Sequence, residues 1–174
     1  MTALLVHKRL DDPIAYRNGS IITVAQYLAD VQFCADKLPD AEYVLLACQD
    51  RYDFAVGFGA ALKRGQISLL PSTHTEELIA QLSHTYENTY CLTDEADCSI
   101  KLPQTNITKW LLQAQPLTEL AIPHFPIEQV AALVFTSGST GLPVAHKKTW
   151  GKLVINVQSE GKRLGVVPGS GYTI

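Results

Sequence analysis

The sequence predicts an α/β protein, with a mainly parallel sheet and helices on both faces. Continuous apolar runs bounded by turn and charge signals read as strands buried on both sides. Capping residues followed by apolar positions at helical spacing read as one-sided helices. The two kinds of segment alternate along the chain, and right-handed crossovers turn that order into a parallel sheet.

The elements follow in order. Around Ala15 to Ile21 a short apolar/polar alternation is broken by Asn18-Gly19, the signature of a two-residue hairpin turn. Thr23 followed by Gln26 makes a capping box, and Val24, Tyr27, Leu28, Val31, Cys34, Ala35 and Leu38 recur at helical spacing until Pro39. Tyr43 to Cys48 is a buried-strand run, after which Asp50 can cap a second helix from about Tyr52 to Arg64. That helix is dense in small residues, including Gly57 and Gly59, which implies close packing on a neighbour, and Gly65 is a good residue to end it. Ile67 to Pro71 reads as the next strand. Thr73 and Glu76 then form a second capping box, for a helix with Leu78, Ile79, Leu82 and Tyr86 on one face. Thr89 to Leu92 is a further short strand. From Asp94 to Pro126 acids and prolines interrupt every pattern, so irregular structure is expected, with one short helix near Lys109 to Gln115.

Composition narrows the function classes. With 174 residues, 47% of them hydrophobic, the chain can bury a real core, and its net charge of −3 offers no basic face for nucleic acid. No apolar stretch is long enough to span a membrane, and the amino terminus lacks the layout of a secretory signal, so a cytoplasmic protein is expected. Four cysteines are present. Cys34 and Cys48 sit in apolar segments, and Cys91 and Cys98 lack metal-ligand spacing, so all four read as buried or incidental thiols.

The chemistry is concentrated in one place. Val130 to Phe135 is a buried-strand run that empties into Thr136-Ser137-Gly138-Ser139-Thr140-Gly141, four hydroxyls and two glycines in six residues. Glycines let successive N–H groups converge into a concavity that binds anions, and the hydroxyls add donors. Polyphosphate is the ligand that such a loop suits. Gly141 is followed by Leu142-Pro143, so the loop lacks the Lys-Ser/Thr of a P-loop NTPase. Ser137-Gly138-Ser139 likewise lacks the Gly-x-Ser-x-Gly elbow of a serine hydrolase.

The stretch Phe135 to Pro143 resembles the phosphate-binding signature of the adenylate-forming superfamily: acyl-CoA synthetases, peptide-synthetase adenylation domains and fatty-acyl-AMP ligases. Tyr16 to Ser20 and Thr23 to Leu28 are similar to that family's first hairpin and helix. Val44 to Ala47, the small-residue helix, Leu70-Pro71 and Glu77-Leu78 follow in the family's order. The resemblance implies that residues 1–174 are the amino-terminal part of an adenylation domain whose carboxyl-terminal remainder is absent. It implies ATP-dependent activation of a carboxylic acid as an acyl-adenylate, with CoA or an acyl carrier protein as acceptor. It also implies that ATP is held by Thr136, Ser137, Gly138, Ser139, Thr140 and Gly141, and that the ligands of Mg²⁺ and the catalytic lysine lie beyond Ile174. The isolated chain is then expected to be inactive.

One departure bears on the site. The family's loop proline is usually followed by Lys-Gly, whereas here Val144-Ala145 follow and the basic residues are displaced to His146, Lys147 and Lys148. Lys148 is the candidate to replace the missing lysine, because an ammonium acts as a point charge whose direction is not critical. The departure looks like an outlying branch that loads acyl or aryl acids. A non-catalytic module that binds nucleotide or a partner is the alternative.

Overall fold

In a computed structural model the structure describes residues 1–111, 121–136 and 144–166. The short strand β1 (Thr2–Ala3) pairs antiparallel with β8 (His124–Phe125), and β2 (Pro13–Arg17) forms a hairpin with β3 (Ser20–Thr23). Asn18 and Gly19 take φ of 51° and 77°, so both turn residues are left-handed, as a tight hairpin twisting with its strands requires. The remaining strands, β4 (Tyr43–Leu46), β5 (Ile67–Leu70), β6 (Thr89–Thr93), β7 (Gln104–Asn106), β9 (Val130–Thr136) and β10 (Val144–Thr149), build one sheet in the order β10-β9-β5-β4-β6-β7. Every neighbouring pair in it is parallel except β10–β9.

Local chemistry explains the helices. Helix α1 (Val24–Lys37) is capped by the Thr23 hydroxyl, which accepts from the Gln26 N–H at 3.3 Å. The reciprocal half of the capping box does not form, because the Gln26 amide donates to Asp30 instead. Helix α2 (Arg51–Lys63) is capped by Asp50, whose carboxylate accepts from the N–H groups of Tyr52 and Asp53. It ends in Gly65 at φ 72°, with Gln66 N–H bonded to Ala61 O and Gly65 N–H to Leu62 O, so the left-handed glycine satisfies carbonyls the helix leaves open. Helix α3 (Glu76–Thr85) is capped by Thr75, not Thr73: the Thr75 hydroxyl accepts from Leu78 N–H, which moves the expected start two residues on. A one-turn helix α4 (Thr108–Leu111) covers the described part of the helix expected near Lys109. Helix α5 (Trp150–Arg163) was not anticipated as an element, and neither was β10.

Helices cover both faces of the sheet. On one face Val44 and Leu46 of β4 and Tyr90 and Leu92 of β6 pack with Val24, Leu28 and Val31 of α1 and Val56 and Ala60 of α2. On the other, Leu45, Leu69, Cys91, Leu133 and Phe135 pack with Ile79 and Leu82 of α3. Strand alternation sends neighbours to opposite faces, so a run such as Val44-Leu45-Leu46 must be apolar throughout. Fully burying each such leucine contributes about 1.5–3 kcal/mol. The register slips between Lys148 and Thr149, where Ala131 is passed over on β9. Beyond that bulge Ala131 packs with Leu62, Phe125 and Trp150, while Leu133 stays on the α3 side.

Among the described residues no helix is long and apolar enough to cross a membrane.

Candidate functional site

Parallel strands end together, so the carboxyl ends of β9, β5, β4 and β6 make one edge, the edge at which open α/β sheets place ligands. Thr136 is the last residue of β9, and its register partner Val144 is the first of β10. Ser137, Gly138, Ser139, Thr140 and Gly141, with Leu142 and Pro143, lie outside the described residues. They join two strand ends that face each other across one rung at this edge.

The described shoulders of the loop carry a hydroxyl and an imidazole. Thr136 is exposed, and its Oγ1 lies 3.2 Å from Nε2 of His146, two rungs along β10 on the same face. With Nε2 protonated the ring donates to the hydroxyl, and in the other tautomer the hydroxyl donates to the ring. Lys148 is a strand residue opposite Ala132. It shares a face with Thr136 and His146 but stands four residues along the strand from the Thr136 rung, roughly 14 Å at strand rise. Lys147 alternates to the opposite face. The displaced basic residue brought into contact with the shoulder is therefore His146, which the sequence singles out less strongly than Lys148.

A polar network sits at the same edge, under β4 and β6. The Asp94 carboxylate accepts from Gln49 N–H (2.9 Å) and Asp50 N–H (2.7 Å), fixing the turn that starts α2. Arg17, from the hairpin, reaches Asp53 at 2.8 Å and Asp50 at 3.3 Å, and Thr108 donates to Asp53. Tyr52 donates to Asp30, which also accepts from Gln26 at 2.8 Å. Burial pushes the Asp30 carboxyl above the usual range, and the bonds from Tyr52 and Gln26 only partly offset it. Burial likewise raises Asp53 against the pull of Arg17. Burial alone would lower the Arg17 guanidinium, yet the bond to Asp53 and the Asp53 and Asp50 charges leave it raised. These groups are matched to one another, so the network reads as the bolt that holds the hairpin on α2. In the sequence only Asp50 announced itself, through its place before a helix. Asp94 sits 44 residues from Asp50, and no local pattern links the two.

Among the described residues no group of three or more His, Cys, Asp or Glu side chains is placed to hold a metal ion. A shallow cavity of about 290 Å³ lies on the other side of β10, between Thr2, Ile127, Thr149, Gly151 and Ile155. It is away from the loop shoulders and is lined mainly by apolar surface.

No family model matches the sequence, and no curated protein matches it. Solved structures do match. o-Succinylbenzoate coenzyme A synthetase (MenE) from Bacillus subtilis, in complex with ATP and magnesium ion, superposes with a TM-score of 0.64 at 17% identity, over 85% of this chain and 42% of that one. The same enzyme with its acyl-adenylate intermediate gives 0.62 at 18% identity, over 86% and 42%. The N-terminal subdomain of Klebsiella oxytoca NpsA, in complex with 3-hydroxyanthranilyl-AMSN, gives 0.60 at 16% identity, over 80% and 36%. The chain thus spans less than half the length of the structures it matches. Over the part it covers it shares their mixed α/β fold.

Proposed function

We propose that this chain supplies the phosphate-binding part of an acyl-adenylate-forming ligase, which activates a carboxylic acid with ATP and Mg²⁺ and passes the acyl group to the thiol of CoA or an acyl carrier protein. The observation that carries this reading is the union of two features: a Thr/Ser/Gly loop of the adenylating type, and its emergence from the carboxyl end of a central parallel strand in this fold. MenE was captured with ATP and magnesium and with an acyl-adenylate, which supports the reaction type. The acid's carboxylate attacks the α-phosphate, the α–β bridging bond breaks, and pyrophosphate leaves. Catalysis of that step is chiefly positioning and charge neutralisation. Here Thr136, Ser139 and Thr140 donate hydroxyls, the glycines open backbone N–H groups, and His146, with Lys148 behind it, supplies cationic or donor character where the usual Lys-Gly is replaced by Val144-Ala145.

A second reading, a nucleotide- or partner-binding module without chemistry, is favoured by one observation: the loop has lost the lysine of its type, and the nearest replacement is an imidazole. Two measurements separate them. In a full-length enzyme, Ser139→Ala and Thr140→Ala each weaken use of Mg·ATP by about 1.5–3 kcal/mol, roughly tenfold to hundredfold, as expected for a hydroxyl lost from a charged phosphate. His146→Ala acts in the same direction, Lys148→Ala less, and Lys147→Ala not at all. ATP–pyrophosphate exchange in that enzyme, with residues 1–174 alone showing none, supports the ligase. ATP binding without exchange in any context supports a nucleotide-binding module, and loop substitutions that leave ATP binding unchanged overturn the loop's role as a phosphate site in both.

A further inference from the structure

Thr136 and His146 form a cross-strand pair whose direction is set by one proton. Thr136 ends β9, and its Oγ1 lies 3.2 Å from Nε2 of His146, two rungs along β10 and on the same face. Both side chains are exposed at the carboxyl edge of the sheet. A hydroxyl has one proton to give and two lone pairs with which to receive. When both ring nitrogens carry protons, Nε2 can only donate, so Oγ1 accepts and its own proton is free to point away from the ring. When Nε2 is bare, the hydroxyl proton is drawn to the ring, and an anion beyond it meets a lone pair instead of a donor. The other neutral tautomer, with its proton on Nε2, leaves the hydroxyl free but brings no charge.

No fixed partner holds the ring in one protonation state. Across the ladder β9 faces His146 with Val134, and with Ala132 and Thr136 on either side, none of which titrates. On β10 itself Lys148 shares the face, while Lys147 alternates to the other. Helix α5 carries Lys152 in its first turn and Glu160, Lys162 and Arg163 towards its end. Among the described residues no carboxylate is hydrogen-bonded or ion-paired to the ring, and its partner is the Thr136 hydroxyl.

We propose that Thr136 and His146 act together as a proton-dependent phosphate donor, in which protonated His146 donates to Thr136 and Thr136 in turn donates to a nucleotide phosphate seated where β9 ends. On the reading that the loop after β9 holds phosphate, the pair makes this chain's grip on ATP weaken as pH rises through the range in which an imidazole loses its proton, about pH 5 to about pH 8. Protonated, the pair offers the anion a donor polarised by a cation behind it, and charge-assisted hydrogen bonds are roughly twice as strong as neutral ones. A lysine stays charged throughout that range. Placing Val144-Ala145 and then His146 where the usual Lys-Gly follows the loop proline thus exchanges a permanent charge for a titrating one. Linkage acts in both directions: if protonation favours ATP, ATP must favour protonation.

The test measures ATP binding to the whole chain by calorimetry from about pH 5 to about pH 8, beside His146→Gln, whose amide can donate to Thr136 but does not titrate. The ratio of the two affinities cancels the titration of ATP itself. Relative to His146→Gln, the affinity of the wild type falls about tenfold across the range, the difference between a charge-assisted and a neutral hydrogen bond. In proton NMR the His146 ring titrates at a higher pH with ATP bound than without it. Thr136→Ser keeps both effects, whereas Thr136→Val, which keeps the shape and removes the hydroxyl, loses most of the pH dependence. A ratio that is flat or rises with pH, or a His146 titration that ATP does not move, overturns the proton dependence. A dependence that survives undiminished in Thr136→Val overturns the pair and leaves the imidazolium acting alone. A flat ratio with ATP binding that Ser139→Ala still weakens overturns the proton-dependent donor and leaves the phosphate site standing. ATP binding that neither Ser139→Ala nor Thr140→Ala weakens, or no ATP binding at any pH, overturns the phosphate site and the donor with it.

Discussion

Helices α2 and α5 differ in how they are buried, although both touch the same small cluster through Leu62 and Trp150. Helix α2 lies in the middle of the fold with Val56, Gly57, Gly59, Ala60, Ala61 and Leu62 all buried. Its glycines are seats for neighbours: a Cβ on Gly57 would stand 2.8 Å from Leu92 Cδ2, and one on Gly59 would stand 3.0 Å from the Tyr27 hydroxyl. Helix α5 is amphipathic instead. Its stripe of Trp150, Leu153, Val154, Val157, Gly161 and Leu164 starts inside a small cluster with Leu62 and Phe125, then runs out: Val157 is 71% exposed and Leu164 69%. The same kind of apolar residue is thus structural at one end of the stripe and solvent-facing at the other. Position relative to the sheet, not hydrophobicity, decides what a side chain is worth.

The largest effect expected from this contrast is at the α2 interface. Leu92→Ala deletes a fully buried side chain and should cost about 2–5 kcal/mol, read as a lower urea midpoint with an unchanged slope. Gly57→Ala sharpens the point. It gains about 1 kcal/mol of helix propensity but forces an overlap with Leu92 that costs about 1–3 kcal/mol. In the Leu92→Ala background the overlap is gone, so the same Gly57→Ala should stabilise. A cycle in which the two changes simply add would show that Leu92 does not sit on Gly57.

A smaller effect belongs to the polar bolt beside that interface. Asp30 is held above the ordinary aspartate range chiefly by burial, so the folded state takes up its proton before the unfolded chain does. In the window from the ordinary aspartate value up to the raised one, the folded state binds more protons, and stability falls as pH rises. Above that window the contribution is constant. The stability of the wild type relative to Asp30→Asn should therefore decline as pH rises from the ordinary aspartate value, near about 4, and level off once the raised carboxyl has ionised, followed by urea midpoints at each pH. A difference that grows with pH would mean that the bonds from Tyr52 and Gln26 outweigh burial. The smallest effect is on α5, where Val157→Ser and Leu164→Ser should each change stability by no more than about 0.5 kcal/mol, because little surface is lost from the described core. A loss as large as that of Leu92→Ala would show that this half of the stripe is covered in solution.

Much of this was legible before any coordinates. The hairpin at Asn18-Gly19, the caps at Thr23 and Asp50, the stop at Gly65 and the apolar runs of β4, β5, β6 and β9 are signals written within a few neighbouring residues, and local backbone chemistry reads them directly. The start of α3 was expected at Thr73, and the Thr75 hydroxyl took the cap instead. Strand β10 escaped notice because Val144 to Thr149 is largely exposed and basic, and it is a strand only because β9 offers it an edge to pair with.

The sequence by itself therefore determined the fold class and the order of the hairpin, of α1 to α3 and of the buried strands β4, β5, β6 and β9, since each depends on short-range patterns of apolar, capping and turn residues. Tertiary structure alone decided which distant groups meet. It joined Asp94 to the start of α2, Arg17 to Asp53 and His146 to Thr136. Such contacts depend on strand order and register, and these follow from how the whole set of apolar faces can be buried at once.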